Sequence, residues 1–247
     1  MYKVLNKIYK KSELSFALLW IITYCVLNSI GNILSDLIGV NSSITFIINA
    51  ALTIVILIWI RKNELSKKYG LCKSEVPSSS FLWYIPLLVF VSHNVWLGVT
   101  INLPIIDIVC YILNMIGVGF LEEIIFRGFL FKALAKDNIK MAMIISSITF
   151  GVGHILNLFN GSGMGLVANM CQIVGAMACG FLFVIMFHRG GTLLPCIMAH
   201  IVNNVINIFA NEAAMTNQKL ITISVINLIV IIIYILILRK TLPKEKI

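Results

Sequence analysis

Apolar residues occupy most of this chain in long stretches separated by short polar connections. A stretch of about 17–25 such residues can cross a bilayer as a helix. Eight can be drawn: 14–38, 44–60, 81–100, 105–135, 139–159, 164–187, 192–210 and 220–238. The pattern predicts an all-α, polytopic membrane protein of about eight transmembrane helices, with 1–247 as a single membrane domain. The fourth stretch is the longest. Unbroken, it measures roughly 45 Å at 1.5 Å per residue and must tilt, kink or protrude.

Composition agrees with the pattern. Hydrophobic residues make up 60% of the chain and charged residues 12%, and the mean hydropathy is +0.99, which excludes a soluble domain. The net charge of +9 raises the question of nucleic acid. The basic residues, however, sit in short clusters in alternate connections: Lys3, Lys7, Lys10 and Lys11; Arg61, Lys62, Lys67, Lys68 and Lys73; Lys132, Lys136 and Lys140; Arg189; and Arg239, Lys240, Lys244 and Lys246. Connections 39–43, 101–104 and 160–163 have none, and the one after Ala210 has only Lys219 beside Glu212. Such clusters set topology and meet anionic lipid, so both termini are expected to be cytoplasmic and no nucleic-acid partner is expected. The expected location is a cell membrane crossed many times; richness in Ile, Lys and Asn points to a bacterial cytoplasmic membrane.

The N-terminal lysines before an apolar run imitate a signal peptide, but the run passes Leu27 without a small-x-small cleavage site and is expected to be a retained first span. The six cysteines include no CxxC pair, which argues against a disulfide framework or a thiolate metal site. Residues 61–80 read as a basic cytoplasmic surface loop, with Trp59, Trp83 and Tyr84 flanking it as an aromatic belt would. Residues 1–104 look like accessory spans. Asp36 and the nearby Asn residues, towards the outer end of the first two spans, read as packing or interfacial groups, and His93 and Asn94 in the third carry a weaker functional signal.

The chemistry is concentrated in 119–207. Glu122 and Glu123 interrupt the fourth apolar run, and an acid at bilayer depth costs about 2.5–3.5 kcal/mol on insertion scales, which marks it as a functional candidate. Glu123 and Arg127 are i,i+4 neighbours in the favourable order, so one carboxylate can be neutralised while Glu122, about 100° away, faces elsewhere. With Asn138 as the centre of an antiparallel turn, Glu122 and His154 lie at similar depth. Phe150 and His154 share a face, as do His200 and Asn204, and Gly117 and Gly119 would let another helix approach the acids closely. A carboxylate and an imidazole can deprotonate water, and further donors can stabilise a tetrahedral oxyanion.

At these residues the chain resembles the CPBP family of intramembrane proteases, which includes the CAAX prenyl endopeptidase Rce1 and the bacterial Abi proteins. The family motifs EExxxR, FxxxH and HxxxN stand here in order as Glu122–Arg127, Phe150–His154 and His200–Asn204. The resemblance implies an intramembrane endopeptidase in which Glu122 and His154 activate water and His200 and Asn204 stabilise the oxyanion, with Glu123, Arg127 and Phe150 in support. The implied partner is a membrane-anchored protein or peptide: isoprenylated CAAX proteins in eukaryotes, and peptide precursors or bacteriocin self-immunity in bacteria.

No cofactor is favoured. Glu122, His154 and His200 could form a zinc set with one open position, but no HExxH occurs and Asn204 would have no ligand role. Two other readings stay open, a proton-coupled transporter, for which no internal repeat is found, and a catalytically inactive immunity or scaffold protein.

Overall fold

In the computed structural model, residues 2–159 and 164–243 are described. They form α1 (Tyr2–Lys11), α2 (Glu13–Ile38), α3 (Ser43–Lys62), α4 (Ile85–Ser92), α5 (Ile105–Glu123), α6 (Lys132–Leu134), α7 (Ile139–Gly153), α8 (Leu166–Gly190), α9 (Leu194–Asn207) and α10 (Asn217–Thr241). Local signals set the ends. Ser12, Asn138 and Thr216 cap α2, α7 and α10 by accepting from backbone N–H groups of the first turn. Gly39 and Gly191 end α2 and α8 at φ 77° and 74°, which only glycine adopts without strain.

Among the described residues six helices are long and apolar enough to cross a membrane: Glu13–Ile38, Ser43–Lys62, Ile105–Leu134, Ile139–Leu158, Leu166–Gly190 and Asn217–Thr241. They correspond to six of the eight predicted stretches. The other two are shorter than drawn. In 81–100, Leu82, Trp83 and Tyr84 take positive φ, which ends the preceding 3₁₀ turn, and Pro86 then opens α4, of only 8 residues. In 192–210, Pro195 opens α9, whose 14 residues span about 21 Å. Hydropathy registers depth in the membrane and is blind to these breaks.

The outer surface carries many large apolar side chains, and the interior combines an apolar core with a smaller set of buried polar groups. On α10 the buried residues are Ile223, Asn227, Ile231, Tyr234 and Leu238, a single stripe at helical spacing, while Ile221, Val225, Ile226, Ile229, Ile232, Ile233 and Leu236 face outward. A face of this size is stable against lipid and would aggregate in water.

Polar contacts collect the connections at two opposite ends. At one, Glu13 pairs with Lys68 at 2.7 Å and Lys136 at 2.8 Å, the Arg189 guanidinium donates to the Arg239 carbonyl, and Thr241 donates to the Ser80 carbonyl. Its hydrogen bond to Glu13 pushes the exposed Lys136 ammonium above the ordinary lysine pKa. At the other end Asn41 donates to Asp107, and the Thr100 N–H donates to the Phe209 carbonyl. α4 and α9, though short, lie between these same ends. The basic connections thus meet at the first end; Lys244 and Lys246, counted with them, lie outside the described residues, as does the connection 160–163.

Trp59, expected at the interface, is instead buried at 1% exposure with Phe16 and Tyr69 around Phe129, while Trp83 is exposed. Burial among these rings raises the Tyr69 phenol above the usual tyrosine pKa. The cluster grips the stretch that follows the acid pair.

Candidate active site

The long fourth run changes register directly after the acids. α5 ends at Glu123, and Ile124–Phe131 continues as a π-helix whose residues are all buried. Such widened turns are rare and concentrate at functional sites. Ser146 on α7 donates to the Phe126 carbonyl at 2.8 Å, supplying a partner inside this irregular stretch. The Phe126 and Phe150 rings meet edge-on at 5.3 Å between centroids. Glu122 lies one turn before Phe126 and His154 one turn after Phe150, so the antiparallel register sets Glu122 and His154 at one level, as the turn-centred count predicts.

α9 reaches the acids because α5 lacks side-chain bulk where they cross. A Cβ on Gly119 would stand 2.5 Å from Ile201 Cγ1 and 3.0 Å from the Ile201 backbone nitrogen. Gly117 receives Asn49 of α3 in the same way, with a Cβ-to-Cβ distance of 2.8 Å. Close approach at Gly119 delivers the neighbouring His200.

The two glutamates divide. Glu123 is fully buried, and its Oε1 lies 3.1 Å from Arg127 Nη1 and 2.8 Å from His200 Nδ1. A carboxylate accepts only, so with Glu123 ionised Nδ1 of His200 carries the proton. Among the described residues no acceptor is aligned for a hydrogen bond with any guanidinium nitrogen of Arg127. The contact is an ion pair, and the guanidinium also lies 3.9 Å over the Phe150 ring, a cation–π contact. Among the described residues Glu122 has no cation beside it except by protonation of His200, whose Nε2 is 3.5 Å from Oε2. Its Oε1 accepts from the Tyr24 hydroxyl at 2.7 Å.

The histidines flank Phe150, His154 at 5.0 Å and His200 at 5.9 Å between ring centroids. His154 lies where α7 passes into a 3₁₀ turn, with Nδ1 3.0 Å from the Phe150 carbonyl, while its own carbonyl accepts from the buried Asn169. It makes no hydrogen bond to Glu122 or His200. Asn204 sits one turn beyond His200, its carbonyl accepting from Tyr111. Asn94 donates to the Asn203 carbonyl at 2.9 Å, whereas His93 pairs with the Phe90 carbonyl and stays outside the cluster. The structure therefore joins Glu122, Glu123, Arg127 and His200 directly, with Phe150 as their shared wall, and leaves His154 and Asn204 at its rim. Among the described residues no three His, Cys, Asp or Glu side chains are grouped to hold a metal ion.

One site residue escapes sequence reasoning. Tyr24 comes from α2, 98 positions from Glu122, in a segment expected to be accessory. A tyrosine in an apolar helix carries no motif, and the half-buried Asn28 one turn later gives only a hint that this face is polar.

Fold and site define a multi-pass helical membrane protein with an acid–histidine cluster buried among its spans. Residues 104–206, from α5 to α9, match the family model described as type II CAAX prenyl endopeptidase Rce1-like, so this region is Rce1-like, as its three motifs imply. The general class that follows is a CAAX-type membrane protease, a hydrolase. No curated protein and no solved structure matches the chain.

Proposed function

We propose that this protein is an intramembrane endopeptidase that hydrolyses a peptide bond in a membrane-anchored protein or peptide by water activated on Glu122 and His154. The division of the glutamates carries the reading. Glu123 takes up Arg127 and orients His200, which leaves Glu122 facing a neutral phenol and an imidazole, free to accept a proton. A carboxylate cancelled by Arg127 would be a poor base.

Glu122 takes a proton from water as the water oxygen bonds to the scissile carbonyl carbon. The carbonyl π electrons move to oxygen, the Asn204 amide donates to that oxyanion, and His200, its Nδ1–H held by Glu123, stands beside Glu122 as a neutral imidazole. Collapse breaks the C–N bond, and the proton held at Glu122 passes to the leaving amine. His154, level with Glu122, shares the water. No step passes through a metal. The basic end faces the cytoplasm with both termini, in a topology of eight passes of which α4 and α9 are short. Substrates in this reading include bacterial peptide precursors and bacteriocins handled in self-immunity.

Glu122→Ala tests the proposal. Purified protein in liposomes, offered a library of membrane-anchored peptides, should lose cleavage by at least about 10²-fold while its thermal unfolding is unchanged. Cleavage at the wild-type rate by a folded Glu122→Ala protein would refute it.

A further inference from the structure

We propose that Tyr24 is a positioning residue that holds the Glu122 carboxylate for its reaction, so that the first half of the chain completes the site. This rests on the protease reading given above. An ionised carboxylate among apolar helices needs stabilisation, yet a fixed cation would quench its basicity. A neutral O–H donor satisfies both requirements. The Tyr24 hydroxyl occupies Oε1 of Glu122 at 2.7 Å, the short range of a charge-assisted bond, and leaves Oε2 turned towards His200 Nε2.

The placement of Tyr24 is enforced by a ladder of amides, the half-buried Asn28 and the buried Asn49 and Asn114. Its carbonyl accepts from Asn28 Nδ2 at 3.0 Å. Asn28 exchanges two 3.0 Å hydrogen bonds with Asn49 of α3, and Asn49 donates to Asn114 of α5 at 2.8 Å. Asn49 and Asn114 are at most 4% exposed, and Gly117 admits Asn49 against α5. α2, α3 and α5 are thereby locked together two turns from Glu122. Tyr24 itself is 8% exposed, so its hydroxyl has been withdrawn from water to make this one contact.

The test is Tyr24→Phe, which deletes one oxygen and keeps the ring. Cleavage of a membrane-anchored peptide is expected to fall about 10–100-fold in kcat, the range for one hydrogen bond to a charged group, with KM unchanged. In a Glu122→Ala background the same change should cost nothing further. Infrared difference spectra of wild type against Glu122→Gln should show the Glu122 carboxylate band, shifted in Tyr24→Phe. Wild-type kcat with an unshifted band would overturn the proposal, as would an equal loss in the Glu122→Ala background, which would mean that Tyr24 serves helix packing alone. If Glu122→Ala itself cleaves normally, the protease reading fails, and the infrared band still decides whether Tyr24 holds Glu122.

Discussion

Glu123 and Glu122 are adjacent in sequence, yet replacing each should give opposite phenotypes, and Glu123→Ala measures this. Arg127 is fully buried, with Glu123 as its ion-pair partner at 3.1 Å and no aligned acceptor on its guanidinium among the described residues. Removing the carboxylate leaves an uncompensated charge in an apolar interior, at a cost of about 3–5 kcal/mol. The stacking of Arg127 on Phe150 at 3.9 Å offsets part of this without replacing the lost negative charge. For a chain of this size about 2–4 °C is lost per kcal/mol, so thermal unfolding should fall by roughly 6–20 °C. The four tryptophans provide the fluorescence signal in detergent. Glu123→Leu combined with Arg127→Leu removes both charges and should recover much of the loss, while Glu122→Ala should unfold at the wild-type temperature. If Glu123→Ala also does so, or if the double variant is as unstable as the single one, the assignment of the structural charge pair to Glu123 and Arg127 is wrong.

Three further outcomes are expected. Gly119→Ala places a methyl against the Ile201 backbone and displaces the helix bearing His200 and Asn204, so cleavage should drop about 10²-fold, whereas Gly175→Ala, with nothing within 4 Å of the added carbon, should cleave normally. Reporter fusions after Lys73 and at the C-terminus should both read cytoplasm, and an external signal at either would reverse the topology. Dialysis against a strong chelator should leave cleavage at the untreated rate; loss restored by stoichiometric zinc would transfer water activation to a metal.

Much of this arrangement was legible in the residues because its causes are local. The i,i+4 spacing of Glu123 and Arg127 acts over one helix and the turn at Asn138 over one hairpin, and the structure pairs them accordingly, while Gly119 signals a close approach without naming its distant partner Ile201 of α9. Tyr24 acts across helices far apart in sequence, and only packing of α2 on α5 brings it to Glu122. Asn28 and Asn49 carry no motif, and their part in aligning that tyrosine depends on the same long-range contact. The direct bonds of His200 to Glu123 and of Tyr24 to Glu122, and the absence of one between Glu122 and His154, depend on side-chain directions that spacing does not specify. The short α4 and α9 differ from prediction because Pro86, Pro195 and the left-handed turn at 82–84 break helices without lowering hydropathy.

The central claim is that Glu122 and His154, from separate helices, act on one water molecule. Its most direct test is kcat/KM for cleavage of one membrane-anchored peptide by Glu122→Ala, His154→Ala and the double variant. Groups that work as a unit are not additive, so each single variant should lose at least about 10²-fold and the double should be little worse than either. Losses that multiply in the double variant, or a His154→Ala protein that cleaves at the wild-type rate, would contradict the account.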